Sequence, residues 1–208
     1  MKREIHIIGS GFSALSSACY LAKEGYDVTV FEKNDTLGGR ARQYKKEGFT
    51  FDLGPSWYWM PDVFERFFAD FGKKPSDYYI LDKLSPGYEV YFGENSSLKI
   101  SENLEDIYKM FEAEEKGSAK HLKTFLDSAK ENYEIAVLDI VYKPGISPLE
   151  LVTTKTVARV NQFFSSVRKQ VRKNIKSPKL IKILEFPVLF LGAKPDNTPA
   201  FYNFINYA

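Results

Sequence analysis

Cysteine occurs only once, as Cys19, so no disulfide can form within the chain, and this usage suits a reducing compartment. Histidine is nearly as scarce. Neither His6 nor His121 is accompanied by a Ser-His-Asp set, a metal-ligand cluster or a recognisably spaced pair of carboxylates. An excess of charge of one sign is also lacking: 29 Lys and Arg face 27 Asp and Glu, and a net charge of +2 is too small to argue for nucleic acid. No apolar run reaches the roughly 18 residues that would cross a membrane, and Ile5–Ile8 is too short for a signal peptide. A cytoplasmic protein is the expectation, with peripheral contact to the inner membrane surface left open.

What is present begins at Ile5. The run Ile5-His6-Ile7-Ile8 predicts a parallel strand covered on both faces, with His6 as a buried or half-buried strand residue. Gly9-Ser10-Gly11-Phe12-Ser13-Ala14 follows, then a helical pattern in which Leu15, Ala18 and Ala22 share a face, Cys19 fills the core beside them, and Gly25 ends the helix. Val28–Phe31 predicts a second strand ending on Glu32. In this pattern Gly9 turns the chain, Gly11 lets backbone approach a pyrophosphate, and Ala14 keeps the helix close to the strand. The helix N-terminus directs free N–H groups and partial positive charge at phosphate. Glu32, 21 positions after Gly11, lies where an acidic residue accepts hydrogen bonds from ribose hydroxyls and repels a 2′-phosphate, an effect that neighbouring Lys33 softens. The alternative is a structural glycine turn in another βαβ unit.

Leu37-Gly38-Gly39-Arg40 adds a second glycine turn with a fixed cation suited to phosphate, and Asp52-Leu53-Gly54-Pro55 comes next. Together these motifs resemble the glutathione-reductase-like FAD oxidoreductases, which include amine oxidases, protoporphyrinogen oxidases and phytoene desaturases. Asp52 to Pro61, with its Trp57-Tyr58-Trp59-Met60 run, and then Phe64 to Gly72 are similar to bacterial phytoene desaturases of the carotenoid pathway. So is the stretch Phe190-Leu191-Gly192-Ala193-Lys194-Pro195 leading to Thr198-Pro199-Ala200-Phe201-Tyr202. The resemblance spans almost the whole chain.

The resemblance implies FAD as cofactor. Gly9, Gly11 and Ala14 would hold its pyrophosphate and Glu32 the adenosine ribose, with Phe12, Ser13 and Lys33 also among the cofactor-binding residues. Gly39 and Arg40 would lie along the pyrophosphate and flavin side, and Gly54, Pro55 and Ser56 near the flavin. It also implies desaturation of phytoene or a related carotenoid, with hydride passing from the polyene to the flavin. The sequence assigns no proton-abstracting base, in keeping with chemistry carried by a cofactor. The alternatives are another oxidase of the amine oxidase group, or a non-catalytic, truncated FAD-binding fragment. Trp57, Tyr58 and Trp59 either line a greasy cavity or simply pack under the sheet.

The fold class expected is α/β: a Rossmann-like FAD/NAD(P)-binding βαβ unit followed by an α+β, largely helical substrate-domain portion. Residues 1–75 form the N-terminal part of the FAD-binding domain and 76–208 a substrate- and membrane-associating portion. The family's proteins are more than twice as long, so a fragment is expected that holds FAD weakly, its partner being the missing C-terminal part of the same polypeptide. Along the second portion, an amphipathic helix over Asp62–Phe71 precedes strands at Ile80-Leu81, Tyr88–Phe92 and Leu98–Ile100. Helices then run from Asn103 to about Tyr142, interrupted at Gly117-Ser118, with His121 on an exposed face. Thr156–Ile175 predicts one basic amphipathic helix. Val157, Val160, Phe164, Val167, Val171 and Ile175 form its apolar stripe, and Arg168, Lys169, Arg172 and Lys173 lie among its bases. It either lies on an anionic membrane, next to a lipid-phase polyene, or packs on its own domain with a solvated basic face.

Overall fold

The computed structural model describes residues 3–54 and 57–208 and divides the chain into two compact units, Met1–Arg66 and Phe67–Ala208. In the first unit, β1 (Glu4–Ile8) pairs in parallel with β2 (Asp27–Phe31), in the register Ile5 to Val28 and Ile7 to Val30. The crossover is α1 (Phe12–Lys23). The Gly9 N–H donates to the Phe31 carbonyl at 2.6 Å and extends the pairing past the end of both strands. The predicted strand–turn–helix–strand order is therefore present.

The expectation that both faces are covered is not met in this unit. Ile8 is 91% exposed, Phe31 is half exposed, and α1 contributes no buried residue. One helix on two strands leaves most of the sheet's apolar surface open, where parallel sheets ordinarily carry helices on both faces. Two smaller expectations fall for the same reason: Cys19 is exposed rather than core filler. His6 is exposed too, its Nε2 lying 2.9 Å from Glu4 Oε1 and its ring edge-on to Phe31.

A hairpin that is not among the predicted elements follows. β3 (Arg42–Lys46) and β4 (Phe49–Leu53) pair antiparallel across Glu47-Gly48. Both turn residues have positive φ, 52° and 84°, which matches the turn that suits the strands' twist. α2 (Pro61–Asp70) carries the boundary between the units and ends at Gly72, where Gly72 and Lys73 donate to the carbonyls of Ala69 and Phe68.

The second unit opens with the hairpin of β5 (Tyr88–Tyr91) and β6 (Ser97–Ile100). Ile80-Leu81 forms no strand; both side chains are exposed and no described strand pairs with them. α3 (Leu104–Glu114) starts at Asn103, whose side chain accepts from the Glu105 N–H. Gly117, at φ 85°, separates it from α4 (Ser118–Ala136). His121 is half-buried on α4 rather than exposed.

The predicted single helix over Thr156–Ile175 is three: α5 (Thr154–Val157), α6 (Val160–Phe163) and α7 (Val167–Asn174). Local capping overrides the periodicity. Ser166 adopts an extended conformation, and its hydroxyl accepts from the Lys169 N–H. The stripe is split accordingly: Val167, Val171 and Ile175 are buried with Phe111, Leu122 and Leu180 in the core, whereas Phe164 is 84% exposed. Behind α7, α8 (Pro178–Glu185) presents Glu185, a nearly buried carboxylate, to Arg172 at 2.8 Å and Arg168 at 3.6 Å. Arg168 also pairs with Asp196. Two of the four bases singled out in the sequence thus face acids of their own unit. Asn132 of α4, fully buried, donates to Gln162, to Asn203 at 2.8 Å and to the Phe201 carbonyl, tying α4 to α6 and to the 3-10 segment Ala200–Asn206.

Candidate functional site

Of the predicted site residues, Gly9, Gly11, Phe12, Ser13 and Ala14 form the β1–α1 turn and helix start, and Glu32 and Gly39 meet them there. Gly9 has φ 95°, and Gly11 caps α1 from an extended conformation with no side chain covering the helix end. The first-turn N–H groups, those of Phe12, Ser13 and Ala14 among them, lack intrahelical acceptors by the geometry of a helix start, and α1 has no acidic residue there to compete with an anion. A Cβ built on Gly9 or Gly11 would meet nothing within 4 Å, so the space beside these two positions is open.

The second glycine turn docks on the first. The Gly38 N–H donates to the Ser10 carbonyl at 2.9 Å. Gly39 adopts φ 62°, and a Cβ there would lie 3.0 Å from the Gly11 Cα, so only glycine lets the two backbones approach this closely. Gly54 sits against the other side of the same turn: its missing Cβ would lie 2.5 Å from the Arg40 carbonyl oxygen. Arg40 and Lys33 are exposed. Phe12 stands edge-on to Phe64 at 6.2 Å, and Phe64 lies 4.6 Å from Tyr58, forming an aromatic row beside the helix N-terminus. Trp57 and Trp59 stack on each other at 6.5 Å. Pro55 and Ser56, also predicted for the site, lie outside the described residues.

Two residues that the sequence pattern does not mark complete the arrangement. Ser10, 1% exposed, is the only fully buried described residue of its unit. Its N–H and hydroxyl both donate to Glu32 Oε2, at 2.9 and 2.7 Å, and Asn34 donates to Glu32 Oε1 through its N–H at 2.9 Å and its amide at 2.6 Å. Ser10 therefore joins the phosphate loop, the end of β2 and the Gly38-Gly39 turn. Its only sequence signal is a hydroxyl between the first two glycines.

The Ser10 hydroxyl, then the Asn34 N–H, hold the Glu32 carboxyl at about 2 against an ordinary value of 4.5. A depressed carboxyl contributes stability above its unfolded value and loses it as pH falls through the folded one. Glu32→Gln is accordingly expected to lower the urea midpoint of this unit at pH 7, with the difference from wild type shrinking as pH falls from 4.5 towards 2. Equal differences at pH 7 and pH 2.5 would show that the carboxylate charge is not held by these donors.

An open cleft of about 700 Å³ lies along Thr36, Leu37, Ala41, Arg42, Gln43, Tyr44, Lys45 and Leu53, and none of the predicted site residues lines it. The glycine turns, built from backbone, form a surface rather than a cavity. Among the described residues no cluster of His, Cys, Asp or Glu could hold a metal ion.

A parallel βαβ unit with this glycine turn, an open helix N-terminus and an acid at the end of the second strand is a Rossmann-like dinucleotide-binding fold, and residues 7–72 match the NAD(P)-binding Rossmann-like domain. Beyond that segment, the chain is related over almost its whole length to carotenoid desaturases. It is 38% identical over 98% of its length to a carotenoid 3,4-desaturase of Haloarcula japonica. It is 32% identical over 97% of its length to a 4,4'-diapophytoene desaturase of Staphylococcus haemolyticus. The chain spans 42% and 40% of the length of these two proteins. A putrescine oxidase variant of known structure shares the fold, with a TM-score of 0.53 at 17% identity over 98% of this chain and 41% of that one.

Proposed function

We propose that these residues form the FAD-binding part of a longer carotenoid desaturase that removes hydrogen from phytoene or a related polyene. The observation that carries the proposal is the pair of interlocked glycine turns with Glu32 fixed beside them, in a chain related to carotenoid desaturases along 98% of its length. The residues present suit the group: Gly9, Gly11 and the α1 N-terminus would hold the pyrophosphate, Glu32 would take up the ribose, and the Gly39–Arg40 turn would run towards the flavin. When bound, the flavin supplies the hydride acceptor. The chain's own part is to bind and orient it and to offer Tyr58, Phe64 and Phe12 as an apolar wall.

Extending the gene through a whole desaturase and supplying phytoene to cells that express it should yield coloured polyenes. A colourless product with amine turnover would favour an amine oxidase instead, a reading that a fold likeness to putrescine oxidase does not by itself support. The residues 1–208 alone, titrated with FAD, should bind it weakly. Stoichiometric flavin carried through purification would overturn that expectation.

A lipid-soluble substrate calls for contact with a membrane surface. Among the described residues no helix is long and apolar enough to cross one. Within the basic stretch after Lys155, the exposed side chains Val157, Val160 and Phe164 are suited to an interface, together with Ile146, Leu149 and Val152 just before it. Replacing Val157, Val160 and Phe164 by serine is expected to lower co-sedimentation with anionic vesicles several-fold without moving the unfolding midpoint. Unchanged co-sedimentation would dismiss the contact.

A further inference from the structure

A carboxylate offers about four lone-pair directions, two on each oxygen, and the chain fills all four of Glu32's from within. Oε2 takes both of its bonds from Ser10 and Oε1 both of its bonds from Asn34. On each oxygen one donor is a backbone N–H, fixed by the fold, and one is a side-chain group on rotatable bonds. A ribose that brings a vicinal diol to this carboxylate finds no vacant acceptor. It must displace a donor already there, and the two movable donors are unequal.

The Ser10 hydroxyl is sealed in: the residue is 1% exposed, so releasing Oε2 would leave a buried donor with no water to turn to. An unmade hydrogen bond on a buried group carries the full desolvation penalty. Asn34 is exposed, and its amide passes from Oε1 to solvent with little loss. Resting on the nucleotide reading above, we infer that Asn34 is a displaceable latch on Glu32 Oε1 and Ser10 a permanent one on Oε2, so that the site reads one ribose hydroxyl through Glu32 and not two. The exchange is donor for donor: no proton changes hands, Glu32 stays an anion, and the backbone N–H groups of Ser10 and Asn34 hold it in place throughout.

The consequence is a specificity with an unusual asymmetry. A vicinal diol on an unoccupied carboxylate would lose affinity on removal of either hydroxyl. Here only the hydroxyl that replaces Asn34 Nδ2 gains a charge-assisted bond. Asn34 moreover acts against the ligand, because its amide must be released before the ribose is seated, and shortening it should tighten binding.

The test uses ADP as probe, followed by NMR or calorimetry on the 1–208 chain, with 2′-deoxy-ADP and 3′-deoxy-ADP alongside. Asn34→Ala is expected to bind ADP about three- to tenfold more tightly than wild type. One of the two deoxy nucleotides should bind wild type about tenfold more weakly than ADP, and the other within about twofold. The deoxy analogues need no variant, so the asymmetry is measured even if Asn34→Ala folds poorly. Equal losses for both analogues, or ADP binding that Asn34→Ala leaves unchanged or weakens, would overturn the latch while leaving the nucleotide site standing. No binding of ADP at millimolar concentration by either protein would remove the site and the latch together.

Discussion

Gly54→Ala is expected to destabilise the Met1–Arg66 unit by about 3 kcal/mol and to weaken FAD binding with it. Two costs add. At φ 103° the backbone is in a region that L side chains rarely adopt, which alone costs roughly 1–3 kcal/mol. The new Cβ would also arrive 2.5 Å from the Arg40 carbonyl oxygen, well inside van der Waals contact. Because the obstacle is backbone, no rotamer change relieves it; either β4 or the Gly38–Arg40 turn must move. Displacing that turn alters the approach of Gly39 to Gly11, on which the open phosphate face depends. Both tryptophans of the chain, Trp57 and Trp59, lie in this unit, so tryptophan fluorescence in a urea titration isolates it from the rest. A midpoint equal to wild type would mean that the two turns are not packed as described.

The residues that make this unit readable in sequence are those whose role is local. Gly9, Gly11, Ala14 and Glu32 sit at fixed offsets because strand, turn and helix are contiguous, and the βαβ unit stands where that spacing puts it. What pairs across the chain is less legible. Ser10 is tied to Glu32 across 22 positions, and one hydroxyl in a glycine loop does not announce its acceptor. Of the strands in the β3–β4 hairpin, Phe49-Thr50-Phe51-Asp52-Leu53 alternates apolar and polar residues but is exposed throughout. Its partner Arg42-Gln43-Tyr44-Lys45-Lys46 does not alternate, so the pairing is announced on one side only, with Glu47-Gly48 as the turn. Ile80-Leu81 has the composition of a strand, but among the described residues no strand pairs with it. In the second unit the stripe Val157 to Ile175 keeps helical spacing through two breaks, since periodicity is blind to a cap such as Ser166 that stops and restarts a helix. The basic face misleads for a related reason: the acids that neutralise Arg168 and Arg172 are Glu185 and Asp196, beyond the window in which the stripe is judged.

Phe111→Ala is expected to cost the Phe67–Ala208 unit about 3–5 kcal/mol, a large part of the stability of an ordinary domain. Phe111 is 1% exposed and belongs to the core built from Leu122 and Phe125 of α4, Val167 and Val171 of α7, and Leu180 and Leu184 of α8. Removing its ring discards apolar contact with the core and leaves a cavity that α3, held at its start by Asn103 and beyond its end by Glu115, is poorly able to close. The Glu115 carboxylate accepts from the N–H groups of Lys176 and Ser177, which anchors the C-terminal end of α3 to the segment entering α8. Phe111→Leu keeps most of the volume and should lose about 1–1.5 kcal/mol. Phe164→Ala, at a residue of the same type but 84% exposed, should change stability by no more than about 0.5 kcal/mol. Amide exchange of α3 and α4, read against urea concentration, measures all three. If Phe111→Ala and Phe164→Ala proved equally costly, the split of the apolar stripe at Ser166 into a buried α7 and an exposed approach to it would be wrong.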